Sequence, residues 1–139
     1  MEQRALICLY ADDHATFRSL MDHYMGALGI ELTLAKDGDE AFELSLIKPY
    51  GLVFLDYEMP YMTGIEVAFH YRRHLRDQGQ IPAPIILVTG RDRGFCEDHR
   101  SRGLIDFYLP KPFSAQDLIL VIDHALSLEH KSPNQAKHL

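Results

Sequence analysis

Two adjacent carboxylates at Asp12-Asp13, a solitary one at Asp56, a hydroxyl at Thr89 and an amine at Lys111 are the groups whose combination could do chemistry. Carboxylates brought together repel one another, and protonation, a basic side chain or a bound cation must relieve the repulsion. Oxygen ligands with room for water and a phosphoryl oxygen favour Mg²⁺ over zinc, and Lys111 adds a second positive charge to face an anionic substrate. One acid could then attack phosphorus while the cation, the Thr89 hydroxyl and the Lys111 ammonium share the charge on the equatorial oxygens, leaving an aspartyl phosphate. Asp56 is the best nucleophile by placement. It stands alone between an apolar run and the loop Tyr57-Glu58-Met59-Pro60, whereas Asp12 and Asp13 form a metal-holding pair.

Residues so far apart in sequence meet only if the fold brings them together. Strand-sized apolar runs occupy residues 5–10, 31–35, 52–55, 85–89 and 105–109. Most are continuous and rich in Leu, Ile and Val, as strands covered on both faces are; Glu31-Leu32-Thr33-Leu34 alternates and reads as an edge. Phe17, Leu20, Met21, Tyr24, Met25 and Leu28 make the apolar stripe of a first helix. Residues 39–48 read as a second helix stopped by Pro49, 63–75 as a third and 91–102 as a more polar fourth. The fifth starts at Ser114, with Asp117 as the reciprocal capping acid. Right-handed crossovers then place helices on both sides of one parallel sheet, giving a single three-layer, doubly wound α/β domain over residues 1–128. Residues 129–139 lose periodicity and read as a loose polar tail. Asp12, Asp13, Asp56, Thr89 and Lys111 all fall at carboxyl ends of strands, where such a sheet has its ligand crevice.

With 139 residues, 47% of them hydrophobic and 24% charged, the chain can bury a core alone. A formal charge of −6, with no local Lys/Arg cluster to reverse it, argues against direct nucleic-acid binding. No apolar run is long enough to span a bilayer, and Met1-Glu2-Gln3-Arg4 leads into the first strand without signal-peptide character, so a cytoplasmic address and no membrane partner are expected. Cys8 and Cys96 lack metal or redox spacing and read as reduced thiols. His70 and His74 share a helix face without the acid of a zinc-protease motif, and the other histidines carry no catalytic role on this reading. Asp37-Gly38-Asp39 lacks the later ligands of a calcium loop and reads as a turn with a helix cap.

The separated motifs resemble the response-regulator receiver domain of two-component signalling, with its chemotaxis-regulator-like, flavodoxin-like fold. The match runs from about residue 5 to residue 128. Asp12-Asp13 matches the family's acidic pair, Asp56-Tyr57-Glu58-Met59-Pro60 its phosphoacceptor motif, Thr89 its signalling hydroxyl and Lys111-Pro112-Phe113 its lysine motif. The resemblance implies five parallel strands in the order 2-1-3-4-5 with five helices, and Asp56 phosphorylated by a sensor histidine kinase or a histidine phosphotransfer protein. It implies Mg²⁺ held by Asp12, Asp13, Asp56 and the backbone carbonyl of Glu58. It also implies slow self-hydrolysis and a cis Lys111-Pro112 bond that aims the amine into the site. Tyr108 falls at the switch aromatic, which turns inward when Thr89 closes on the phosphoryl group. An effector or output domain would read the surface of the fourth helix, fifth strand and fifth helix. Asp106 stands near an acid that the transcription-factor branch uses in dimer contacts while Phe107 replaces a second acid, so a phosphorylation-dependent homodimer stays open.

Three positions depart from the family pattern or vary within it. Gly90 stands where a small side chain is usual, which widens access to the phosphoryl site. Glu58 and Arg91 flank the mouth with opposite charges and are expected to pair, gate attacking water and tune the phosphoryl lifetime. A phosphate-ester hydrolase competes for the same nucleophile, with Glu58 as its proton donor. It would need a cap domain, leaves the acidic pair without a role, and predicts steady-state turnover of a generic phosphate ester. A docking module without phosphorylation sits poorly with intact acceptor, acids, threonine and lysine. The expectation is therefore a regulatory phosphoacceptor that phosphorylates and dephosphorylates only itself. A stand-alone regulator and a piece of a longer one both fit.

Overall fold

The computed structural model describes residues 6–129. Strands and helices alternate: β1 (Ile7–Ala11), α1 (Ala15–Ala27), β2 (Glu31–Ala35), α2 (Gly38–Ser45), β3 (Leu52–Asp56), α3 (Gly64–Asp77), β4 (Ile85–Thr89), α4 (Arg93–Ser101), β5 (Phe107–Pro110) and α5 (Ala115–Glu129). The five strands form one parallel sheet in the order β2-β1-β3-β4-β5, as the resemblance implied. The alternating run, β2, is an edge, and the continuous apolar runs of β3 and β4 are buried at every position.

Because successive strand residues point to opposite faces, each central strand feeds two cores. Cys8, Tyr10, Leu52, Phe54, Ile86 and Val88 pack with Met21 and Met25 of α1 and with Leu118 and Ala125 of α5. Leu9, Val53, Leu55, Ile85 and Leu87 pack on the other side with Ala41 of α2 and Val67, Ala68 and Tyr71 of α3. The predicted stripe of α1 faces the first core, except Leu28, which lies at the C-cap and is exposed.

Local signals set the helix starts. Thr63 and Glu66 form a reciprocal capping box on α3, and Ser114 and Asp117 exchange the same two bonds at α5. Asp37 caps α2 and Asp92 caps α4. The cap position of α1 is His14, whose side chain makes no capping bond.

Several boundaries move for identifiable reasons. β3 extends to Asp56, which stays in register with Val88 of β4. β5 begins two residues late because the Asp106 carboxylate, and not a strand carbonyl, accepts the Ile85 amide at 2.7 Å. α4 starts at Arg93 because Asp92 is its cap. α2 stops at Ser45, leaving Leu46 to Lys48 as a turn ahead of Pro49, which disfavours helical geometry in the residue before it. α5 continues through Glu129, one residue past the expected domain limit. The remainder of the expected tail, 130–139, and residues 1–5 lie outside the described residues.

Candidate functional site

The sheet's carboxyl edge gathers the polar groups that the apolar interior excludes. Asp12 follows β1 and is 0% exposed; Asp56 ends β3 at 4% and Thr89 ends β4 at 3%. Lys111 directly follows β5, and its bond to Pro112 is cis. The start of α3 presses on the same edge: the Gly64 amide donates to the Tyr57 carbonyl at 2.9 Å, and a Cβ at Gly64 would collide with the Asp56 carbonyl.

One ammonium serves two buried acids. Lys111 Nζ lies 2.7 Å from Asp12 Oδ2 and 3.2 Å from Asp56 Oδ1, and its other side rests 4.3 Å from the centre of the Phe17 ring. Burial works against the charged form of Asp12, but hydrogen bonds from Lys111, the Tyr10 hydroxyl and the His14 amide outweigh it and hold that carboxyl below its usual value. Tyr10, its own ionisation pushed up by burial, remains a donor to Asp12. Asp56 goes the other way. Burial, followed by the charge on Asp12, raises its carboxyl to about 7, because a lysine already close to Asp12 cannot offset both. Asp56 Oδ2 is buried without a hydrogen-bond partner.

Asp12, Asp13, His14 and Asp56 each offer one ligand atom, and these atoms all lie within 4.8 Å of one another. A set dominated by carboxylate oxygens, in which Asp56 also keeps an unpartnered oxygen and Lys111 is the one lysine against them among the described residues, fits a hard divalent cation. A cleft of about 530 Å³ opens onto Asp56, Thr89 and Lys111 between His14, Phe17, Glu58, Gly90, Arg91 and Pro112.

The two loops at the mouth are tied together. Arg91 Nε donates to Glu58 Oε1 at 3.1 Å, as the sequence suggested, and the guanidinium lies over Tyr57 at 5.3 Å and Phe95 at 4.7 Å. Thr89 Oγ1 accepts the Arg91 amide at 3.1 Å. A Cβ at Gly90 would meet nothing within 4 Å, so that side of the mouth is open. Tyr108 does not face Thr89: its hydroxyl donates at 2.7 Å to Glu97 on α4, which also accepts from Arg100.

The site thus brings together Asp12, Asp13, Asp56 and Lys111, with Thr89 at its rim and Tyr108 directed outward. Sequence reasoning missed four neighbours. His14 follows the acid pair directly, and that adjacency was the available signal. Tyr10 and Phe17 looked like ordinary core residues, and nothing in the spacing singled out Arg18, whose Nη1 donates to the Asp12 carbonyl at 2.8 Å.

Residues 8–123 match the family described as the response regulator receiver domain. The chain belongs to that family. The receiver is 33% identical over 115 residues to the transcriptional regulatory protein SrrA of Staphylococcus aureus, covering 81% of this chain and 44% of that protein. It therefore spans less than half the length of the curated relatives it matches. Among solved structures it is similar to the Thermotoga maritima response regulator TrrA in complex with Mg²⁺-BeF, at 31% identity and a TM-score of 0.73, covering 86% of this chain and 98% of that one. It shares the fold of Vibrio cholerae chemotaxis protein CheY4 at 23% identity and a TM-score of 0.78, covering 88% and 99% of the two chains. The receiver is a regulatory phosphoacceptor domain, and among its described residues no helix is long and apolar enough to cross a membrane.

Proposed function

We propose that this receiver accepts a phosphoryl group on Asp56 from the phosphohistidine of a sensor kinase or phosphotransfer protein, in the cytoplasm, and so switches a partner-binding surface. The observation that carries the proposal is the buried Asp56 carboxylate, with Lys111 on one oxygen and the other oxygen unpartnered. An Asp56 oxygen forms the new P–O bond as the P–N bond to the donor imidazole breaks, and the electron pair leaves with the imidazole. Mg²⁺, held by Asp12, Asp13, Asp56 and the backbone carbonyl of Glu58, supplies positive charge to the phosphoryl oxygens when bound. The Mg²⁺-BeF complex of TrrA supports that choice of ion. Lys111 holds a second charge against the transferred group, and the Thr89 hydroxyl, placed at the rim, can turn to donate to it.

Signalling follows from what those movements release. When Thr89 turns to the phosphoryl group, the Arg91 amide loses its acceptor, and Tyr108 exchanges Glu97 for an inward position. The face between α4, β5 and α5, with a cleft of about 510 Å³ bordered by Arg100, Tyr108, Asp117 and His124, is the surface an effector, an output domain or a second receiver would read. Glu58, Gly90 and Arg91 set how fast water reaches the phosphoryl group, and the receiver removes its own phosphate at that rate.

Incubation with a small-molecule phosphodonor and Mg²⁺ followed by intact mass tests the proposal. A single phosphate-sized gain is expected, absent in Asp56→Asn; no gain in the unaltered protein would overturn the reading.

A further inference from the structure

His14 occupies the cap position of α1 without capping it, and its ring lies on the acid cluster instead. Nδ1 lies 3.0 Å from Asp12 Oδ1 and 3.2 Å from Asp13 Oδ1. Two ligands on neighbouring corners of an octahedron with arms of about 2.1 Å are about 3.0 Å apart. Both separations therefore have the size of edges in a coordination shell. The ring is held edge-on to Phe17, at 6.2 Å between centroids and 84° between planes, while its side chain is 61% exposed and open to an ion arriving from solution. An independent feature marks the shell: Asp56, with a side chain only 6% exposed, contributes a carboxylate oxygen to the same cluster and keeps one buried oxygen without a hydrogen-bond partner.

We infer that His14 Nδ1 is a nitrogen ligand of the receiver's divalent-cation site, which therefore favours ions that accept imidazole, such as Mn²⁺, relative to Mg²⁺. The inference rests on the cation-dependent reading above and adds a donor to it. Mg²⁺ is matched to oxygen ligands and retains its waters, whereas an imidazole nitrogen in place of one water favours transition-metal ions.

Mn²⁺ is the probe, bound to the full chain and followed by electron spin resonance, with Mg²⁺ as competitor. The unaltered protein is expected to show nitrogen hyperfine coupling on the bound Mn²⁺. His14→Ala and His14→Gln should abolish it and lower the Mn²⁺ to Mg²⁺ affinity ratio by roughly three- to tenfold. Circular dichroism of the variants establishes that they fold. Mn²⁺ bound without nitrogen coupling, or an affinity ratio unchanged by either substitution, overturns the role of His14 and leaves the carboxylate site standing. Failure of both ions to bind the unaltered protein overturns the cation site itself.

Discussion

A carboxylate buried as deeply as Asp56 resists ionisation, and this makes the acidic cluster legible in pH. Its folded value of about 7 lies above the ordinary 3.8, so the folded chain keeps a proton that the unfolded chain releases between those values. Stability of the cation-free protein therefore falls as pH rises through that window. Asp12 has the opposite sign: its value is lowered, and its contribution is lost only as pH drops below the ordinary carboxylate range. Thermal unfolding without divalent ions should show the protein less stable at about pH 8 than at about pH 5.5, by ~1–3 kcal/mol. Mg²⁺ should narrow the difference, and Asp56→Asn should flatten it. Replacing Lys111 by Met removes the ammonium that touches both acids and should lower the phosphorylation rate by about a hundredfold, measured as the rate of mass gain. At this scale the sequence showed Asp12, Asp56, Thr89 and Lys111, because strand ends converge whatever the side chains do. It did not show Tyr10, Phe17 or Arg18 at the site, since their roles depend on how a packed side chain points and no spacing records that.

Elements take their ends from single residues, and those ends decide how the loops over the site are held. Arg91 and Glu58 join the loop after β4 to the loop after β3. Both are exposed, so the pair adds little to stability, and its proposed part is to screen the path of water. Glu58→Gln and Arg91→Gln should leave the unfolding midpoint nearly unchanged and alter the rate at which phosphate is lost; an unchanged rate in both variants would remove gating from the account. Arg72 does the reverse, since it is largely buried and its guanidinium binds the carbonyls of Gly103 and Leu104 at 2.9 Å and Asp106 at 2.8 Å, joining α3 to the start of β5. Arg72→Ala should cost about 2 kcal/mol in denaturant unfolding through these lost charge-assisted bonds. Element order and type were readable from periodicity and capping residues. The late start of β5 was not, because Asp106 intervenes through a side chain that mimics the strand's own acceptor.

At the scale of the whole receiver, one sheet separates two cores, and the site lies along the edge that both share. Met25, fully buried, belongs to the core that lies against α1 and α5, and Met25→Ala should destabilise the protein by roughly 2–5 kcal/mol without moving the carboxylates. Such a variant should keep Asp56 phosphorylation at temperatures where it stays folded, measured by the same mass gain. The whole-molecule architecture was legible because continuous strands demand cover on both faces, whereas the outward direction of Tyr108 depends on Glu97, a residue of the polar helix whose packing the pattern left loose. Asp106 has a consequence for company as well as for folding. Its Oδ2 already receives a main-chain amide and a guanidinium from its own chain. A neighbour seeking that carboxylate is left with Oδ1, since Oδ2 is occupied, just as one that engages Arg100 or Asp117 shares them with Glu97 and Ser114. Any partner on this face thus shares polar groups that already have companions within the chain.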